Sequence, residues 1–374
     1  MSKRLWPVFL GPPLILAGAV LAIGHAQPSA DAAKPVSLPR IASCSGPDGA
    51  QPGASRSGAA RPGAWWKTTE QLDASGTLVG RKLFVGQGPT AIATEDLPIE
   101  SSASGPVHGV VVVVADDGTT SRVRLVSAVA GCETLIHSTT DVVRSAILDP
   151  SDGSVLAHLI DRGTRGDLGT WRISPAGSGG SGARLVAPPL GDLGTVVGTV
   201  WATALRLDAH AAHLAVQSCA DLGCLTRIFD LVHPGQPTIL ISGVDEGPLL
   251  GFAGADLVTW AACPGYPCAV LRWTPDVAKP RTLVNLAGAA GLTRDGRRLV
   301  ALVSDGRVSH AIAVDPRTGR STGLHGLAAG QRPLSTSTVA TIGLEVADDE
   351  IVVGSGVTDP QAFRPDSATD EVLP

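Results

Sequence analysis

The sequence predicts an all-β fold, a β-propeller of six blades with four antiparallel strands each. Three observations predict it. Short apolar runs marked by Val112, Leu156, Leu214, Leu257, Leu299 and Ile351 recur at intervals of roughly 42 to 58 residues, the spacing of propeller blades. Glycine (45) and proline (28) are abundant among 374 residues, which suits many tight turns between short strands. No stretch carries the 3.6-residue apolar period of a three-turn amphipathic helix. Aromatics make up only 3%, so Val, Leu, Ile and Ala must fill the core.

In chain order, Lys3 and Arg4 precede an uncharged run from Trp6 to Ile23, and Gly24-His25-Ala26 offers small residues at a peptidase site. Residues 1–26 therefore read as a signal peptide or, if uncleaved, as an N-terminal anchor. Pro12 and Pro13 inside the run favour the cleaved form. Residues 27–70, rich in Pro, Ala, Ser and Gly, read as a linker, because such a composition cannot bury enough apolar surface to offset its ordering entropy. Trp65-Trp66 interrupts it and reads as a patch that covers an apolar edge of the domain. The propeller is expected over 71–374.

Within that span Val111–Val114 precedes the turn ADDGTT, and SRVRLVSA lies beyond it. Val155–Ile160, Leu214–Gln217, Leu257–Trp260, Leu299–Val303 and Ile351–Val353 each follow a polar turn. Leu168–Ile173, Leu225–Leu231, Ala269–Thr274 and Ser309–Val314 read as third strands. ARLVAPP, PTILIS, RTLVNLA and STGLHGL read as outer strands. A strand at Lys82–Phe84 or Ala91–Ala93 is expected to join the last blade and close the ring, which would remove unpaired sheet edges.

Six cysteines in an exported chain suggest disulfides. Cys219–Cys224 and Cys263–Cys268 each enclose a four-residue loop between two β-like runs, where antiparallel pairing brings the two Cβ atoms within bridging distance. Each bridge would add about 2 kcal/mol and fix strand register. Cys44 and Cys132 are left to pair, pinning the tail to the domain. Zinc ligation by the four central cysteines is the alternative reading, and an oxidising compartment argues for bridges.

Thr293-Arg294-Asp295-Gly296-Arg297-Arg298-Leu299-Val300-Ala301 resembles the S-P-D-G-K-x-L-A segment of TolB-like and WD40-like six-bladed propellers. Asp295 and Gly296 supply the blade turn, and Thr293-Arg294 departs from the usual Ser-Pro. A weaker copy with a longer turn runs through Asp149 to Gly153. The resemblance spans residues 80 to 355 as a pattern and implies a fold and a tendency toward protein binding. It carries over no catalytic residue.

The chemistry-bearing residues form no catalytic pattern in sequence. There is no G-x-S-x-G elbow, no phosphate-binding loop and no dinucleotide fingerprint. The turn acids Asp116, Asp117, Asp149, Asp152, Asp295, Asp348 and Asp349 lack the spacing of a calcium loop and read as Asx turns. His210 and His213, near Asp208, read as a surface turn. His158 and Asp161 point to opposite faces of one strand, a geometry that does not favour a dyad. No catalytic residue, metal site or cofactor is assigned. A formal net charge of −5 without a basic stripe argues against nucleic acid. The expectation is a secreted or extracytoplasmic non-catalytic propeller that binds a protein, a cell-envelope component or a small ligand. Membrane contact would come only through residues 6–23, if uncleaved. The alternative is a secreted hydrolase or lyase with its site at the central channel.

Overall fold

Adjacent residues of single strands point into different hydrophobic clusters, and that alternation explains how the sheets are stacked. The computed structural model describes residues 38–44, 64–87, 90–175, 182–189, 202–220, 223–233, 239–242, 246–261, 269–275, 277, 279–285, 287–292, 296–304, 309–323, 340–344, 351–353 and 361–363. The segment Trp6–Ile23 lies outside them. Among the described residues there is no helix at all, and so none long and apolar enough to cross a membrane.

A short strand, β1 (Ala42–Ser43), comes first. Then β2 (Ala64–Leu72), β3 (Leu78–Gln87) and β4 (Thr90–Leu97) form a meander. The next sheet is β5 (Glu100–Val107), β6 (Val110–Asp116), β7 (Ser121–Ser127) and β8 (Cys132–Thr139), with β1 added parallel to the outer edge of β8. It is followed by β9 (Val142–Leu148), β10 (Val155–Ile160), β11 (Asp167–Ile173) and β12 (Ala183–Ala187). A third complete meander is β13 (Ala202–Leu207), β14 (His213–Ala220), β15 (Gly223–Asp230) and β16 (Ile239–Ser242). A fourth is β17 (Glu246–Ala253), β18 (Asp256–Ala261), β19 (Ala269–Trp273) and β20 (Arg281–Asn285). A fifth is β21 (Ala287–Leu292), β22 (Leu299–Ser304), β23 (Ser309–Val314) and β24 (Ser321–Gly323). Finally β25 (Ala340–Leu344) pairs antiparallel with β2, and β26 (Ile351–Val353) with β27 (Gln361–Phe363) forms a separate hairpin.

Two expectations need correction. The last four-stranded sheet has the order β25-β2-β3-β4, with Trp65 opposite Leu344, and the Ile351 marker lies outside it in the β26–β27 hairpin. A three-residue run after a polar turn looks like a blade strand locally, but pairing between distant parts of the chain leaves no local period. The linker boundary also moves. Ala64, Trp66 and Thr68 are buried on one face of β2 while Lys67 and Thr69 are less so, a period-two pattern that the average composition of 27–70 conceals.

The core lies between successive sheets. From β6, Val111 and Val113 pack toward β2–β4, while Val110, Val112 and Val114 pack toward β9–β11. From β10, Val155 and Ala157 join that second cluster, and Leu156 turns the other way to meet Leu205, Leu214 and Val216. Ala215 of β14 then faces Leu249, Phe252 and Leu257, and Val258 of β18 faces Leu299 and Val314. A strand covered on both faces reads as a continuous apolar run, which is why β6 and β10 are buried at every residue. Full burial of one such Leu or Val contributes roughly 1.5–3 kcal/mol. The result is an all-β unit of antiparallel sheets stacked face to face in chain order.

Candidate functional site: inner strands and sheet junctions

The first strand of each meander lies against the first strand of the next. β5 meets β9, β9 meets β13, β13 meets β17 and β17 meets β21, while β25 lies beside β5. These strands carry small residues, such as Ser102-Ala103-Ser104-Gly105 in β5 and Ala287-Gly288-Ala289-Ala290-Gly291 in β21. Polar side chains link neighbouring sheets along this row. Ser104 Oγ donates to the Ala146 carbonyl at 2.5 Å, Trp66 Nε1 to the Gly105 carbonyl at 3.0 Å, and Arg81 Nη1 to the Ser101 carbonyl at 3.0 Å. Arg144 Nη1 lies 3.3 Å from Glu100 Oε2. On β13, Arg206 Nε donates to the Leu250 carbonyl at 3.0 Å and Nη1 to the Leu205 carbonyl at 2.8 Å.

At the β2–β4/β5–β8 junction the chain is fastened three ways. Backbone bonds from Ile41 N to the Thr94 carbonyl (3.2 Å) and from Cys44 N to the Glu133 carbonyl (2.9 Å) lace residues 39–44 across β4 and β8. Cys44 and Cys132 are disulfide-bonded. Beneath them buried Arg124 reaches Glu95 Oε1 at 2.7 Å and Glu133 Oε2 at 2.5 Å. Desolvation raises the Glu133 carboxyl; Arg124 opposes this, and the charge of Glu95 adds to it. At the next junction Arg162 clamps Asp116 through Nη1 (3.1 Å) and Nη2 (2.6 Å), while Ser121 Oγ also donates to Asp116. Desolvation pushes Asp116 up, but the bonds from Arg162, Ser121 and the Gly118 N–H outweigh it and hold the carboxyl below its ordinary value.

The remaining sequence-predicted positions fall mostly in turns. Fully buried Asp149 accepts from Ser151 N (2.9 Å) and Ser151 Oγ (2.6 Å), and Arg172 Nη2 lies 2.9 Å from it. Gly153 N donates to the Asp149 carbonyl at 2.9 Å, with φ of 74° at Gly153. Gly296 has φ of 68°, and a Cβ there would stand 2.1 Å from the Phe252 carbonyl oxygen, so this position requires glycine. Asp295, Cys263, Cys268, Asp348 and Asp349 lie outside the described residues. Cys219 and Cys224 are directly opposed across β14 and β15. Asp208 caps its turn through Ala212 N and His213 N, and pairs with His213 Nδ1 at 3.0 Å. The four turns at Asp116, Asp149, Asp208 and Asp315 are thus held by aspartate side-chain bonds to backbone N–H groups.

Sequence reasoning missed two clusters. His158 is fully buried, with Nδ1 3.0 Å from Thr170 Oγ1 and Nε2 3.1 Å from Asp167 Oδ1. The order Thr–His–Asp resembles a nucleophile–base–orienter chain, but Thr170 is fully buried too, so no substrate can reach it. Its only sequence signal is register: His158 opposes Thr170 across β10 and β11. The second is Arg124 with Glu95 and Glu133, drawn from three strands. Among the described residues no group of three His, Cys, Asp or Glu side chains is placed to hold a metal.

No family model matches this chain, and no curated protein matches it. Among solved structures, TolB from Acinetobacter baumannii aligns at a TM-score of 0.46 with 10% identity over 69% of this chain and 62% of that one. This chain therefore spans less than two thirds of that protein's length. An oligogalacturonate lyase in complex with manganese aligns at 0.44, with 12% identity over 74% and 76% of the two chains. A chain of the nidogen/laminin complex aligns at 0.43, with 13% identity over 75% and 98%. The three proteins do different things, and at these scores the likeness does not extend to activity.

Proposed function

We propose that this chain is an exported six-bladed β-propeller that binds a protein, a cell-envelope component or a small ligand and does not catalyse a reaction. In this reading β25 with β2–β4 is the sixth blade, β21 meets β25 to close the ring, and β5, β9, β13, β17, β21 and β25 line the channel. The observation that supports the ring is the order of contacts from β25 through β5, β9, β13 and β17 to β21. The observation that supports binding over chemistry is where the titratable groups sit. His158 is sealed in a sheet, Asp149 and Asp208 hold turns, and Asp116 and Glu133 are tied to arginines. Residues 1–26, read as a signal peptide or an uncleaved anchor, support an extracytoplasmic location.

The test sets binding against turnover. The purified protein is titrated against isolated envelope fractions, and assayed in parallel with ester, lactone, peptide and uronide substrates. Saturable binding without turnover is the expected result. Turnover of any of these substrates would replace this reading with a secreted hydrolase or lyase.

A further inference from the structure

β17 carries a β-bulge. Leu249 pairs with Thr259 and Gly251 with Val258, so Leu250 has no partner in the ladder. Pro248 lies just before it and has no N–H to give the ladder. Two side chains of the neighbouring sheet take up the freed backbone groups: Gln217 Oε1 accepts from Leu249 N at 3.1 Å, and Arg206 Nε donates to the Leu250 carbonyl at 3.0 Å. Arg206 belongs to the cross-strand row Arg206–Ala215–Ile228, whose face packs on β17.

Capping the bulge needs one neutral donor. Arg206 supplies a full positive charge, and among the described residues no carboxylate lies within ion-pair distance of it. With Nε and Nη1 each bonded to a carbonyl, the guanidinium is held in place. Among the described residues Nη2 and the second Nη1 hydrogen have no partner, and they form the fork that matches two oxygens of an oxyanion. Desolvation pulls the pKa of Arg206 down, yet the side chain keeps partial exposure. In the ring reading above β13 is an inner strand, so this partly exposed side chain borders the interior. Three other arginines at sheet contacts have acids: Arg124 has two, Arg162 has Asp116 and Arg172 has Asp149. Buried Arg227 instead resembles Arg206: it has no ion pair among the described residues, and desolvation lowers its pKa.

We propose that the fork of Arg206, fixed on β13 against the β17 bulge, is a recognition point for an oxyanion, the carboxylate or phosphate of a ligand entering the ring interior. This deepens the binding function proposed above and rests on the ring reading for its access route.

The test uses the purified protein, with citrate as the carboxylate probe and inorganic phosphate as the other, each at constant ionic strength. Wild type is expected to gain several degrees in melting midpoint with one of them, and which one identifies the oxyanion. Arg206→Gln is expected to lose that gain, while Arg162→Gln, at a paired arginine, keeps it. Equal gains in wild type and Arg206→Gln, or no gain with either anion, would overturn the proposal. Should Arg206→Gln fail to fold, phenylglyoxal labelling of wild type decides. Labelling at Arg206 slowed several-fold by the same anion supports the site; an unchanged rate, or no labelling at Arg206, sinks it. Small-angle scattering separates the two ideas. An open arrangement with anion protection at Arg206 removes the ring and keeps the site, and a closed ring without protection removes the site alone.

Discussion

Arg124 and Arg206 both lie at sheet junctions, and the fold treats them in opposite ways. Arg124 sits between two carboxylates, under a strap of backbone bonds and a disulfide. Among the described residues Arg206 meets carbonyl oxygens and no carboxylate. Among the described residues, the first cluster carries one negative charge in excess, and the second one positive charge in excess. A charge removed from water and matched by opposite charge holds elements in register, whereas an unmatched one costs stability unless something else answers it. The contrast separates a junction that is complete within the chain from one that leaves a charge to be answered.

The largest expected effect breaks the first junction. Replacing both Cys44 and Cys132 by Ser, whose sequence separation is 88, should cost about 4–5 kcal/mol in the chain-entropy account, read as a fall in denaturation midpoint. A loss below about 1 kcal/mol would show that the strap holds without its covalent link. Next, Arg124→Met should destabilise by roughly 3–5 kcal/mol at pH 7, because it leaves Glu95 and Glu133 facing each other with no cation. That loss should shrink on acidification as the two carboxyls protonate. If it stays constant with pH, the cluster acts through packing alone. Arg206→Met should cost less, about 1–3 kcal/mol, since it orphans the Leu250 carbonyl while removing an unmatched charge. A larger loss for Arg206 than for Arg124 would invert the comparison.

Glu133 supplies the pH arm. Its folded carboxyl is raised above 4.5, so the folded state binds its proton more tightly than the unfolded chain does. Its contribution is present below pH 4.5 and is lost as pH rises through the raised value. Glu133→Gln should therefore be relatively more stable at pH 7 to 8 than wild type and should flatten that decline, as thermal melts across pH would record. Asp116 has the opposite sign: its lowered carboxyl contributes stability above 3.8 that disappears on acidification. The smallest effect is at the surface. Lys82 and Asp96 lie 3.9 Å apart and exposed, and Lys82→Ala should change stability by under about 1 kcal/mol.

Most strands were legible because a strand's two faces write a local signal. The runs at Val111–Val114 and Val155–Ile160 fall within β6 and β10, and the outer strands ARLVAPP and PTILIS contain β12 and β16. The glycine of the DG turn was legible too, and its closeness to Phe252 supplies a reason beyond the turn itself. The interacting charges were not. Arg124 and Glu95 are separated by a whole hairpin, and their contact exists only because β4 packs beside β7 and β8. The setting of Arg206 was equally hidden, because it depends on which backbone carbonyls the bulged β17 brings to it.

The sequence by itself determined strand placement, the polar turns and the both-sides burial of β6 and β10, since these follow from the alternation of side chains along an extended chain. Tertiary structure alone decided that a strand at 340–344 completes the sheet begun at Ala64, where the bulge in β17 falls and which carboxylates meet Arg124. Those outcomes depend on contacts between residues far apart in the chain, where no local period records the partner.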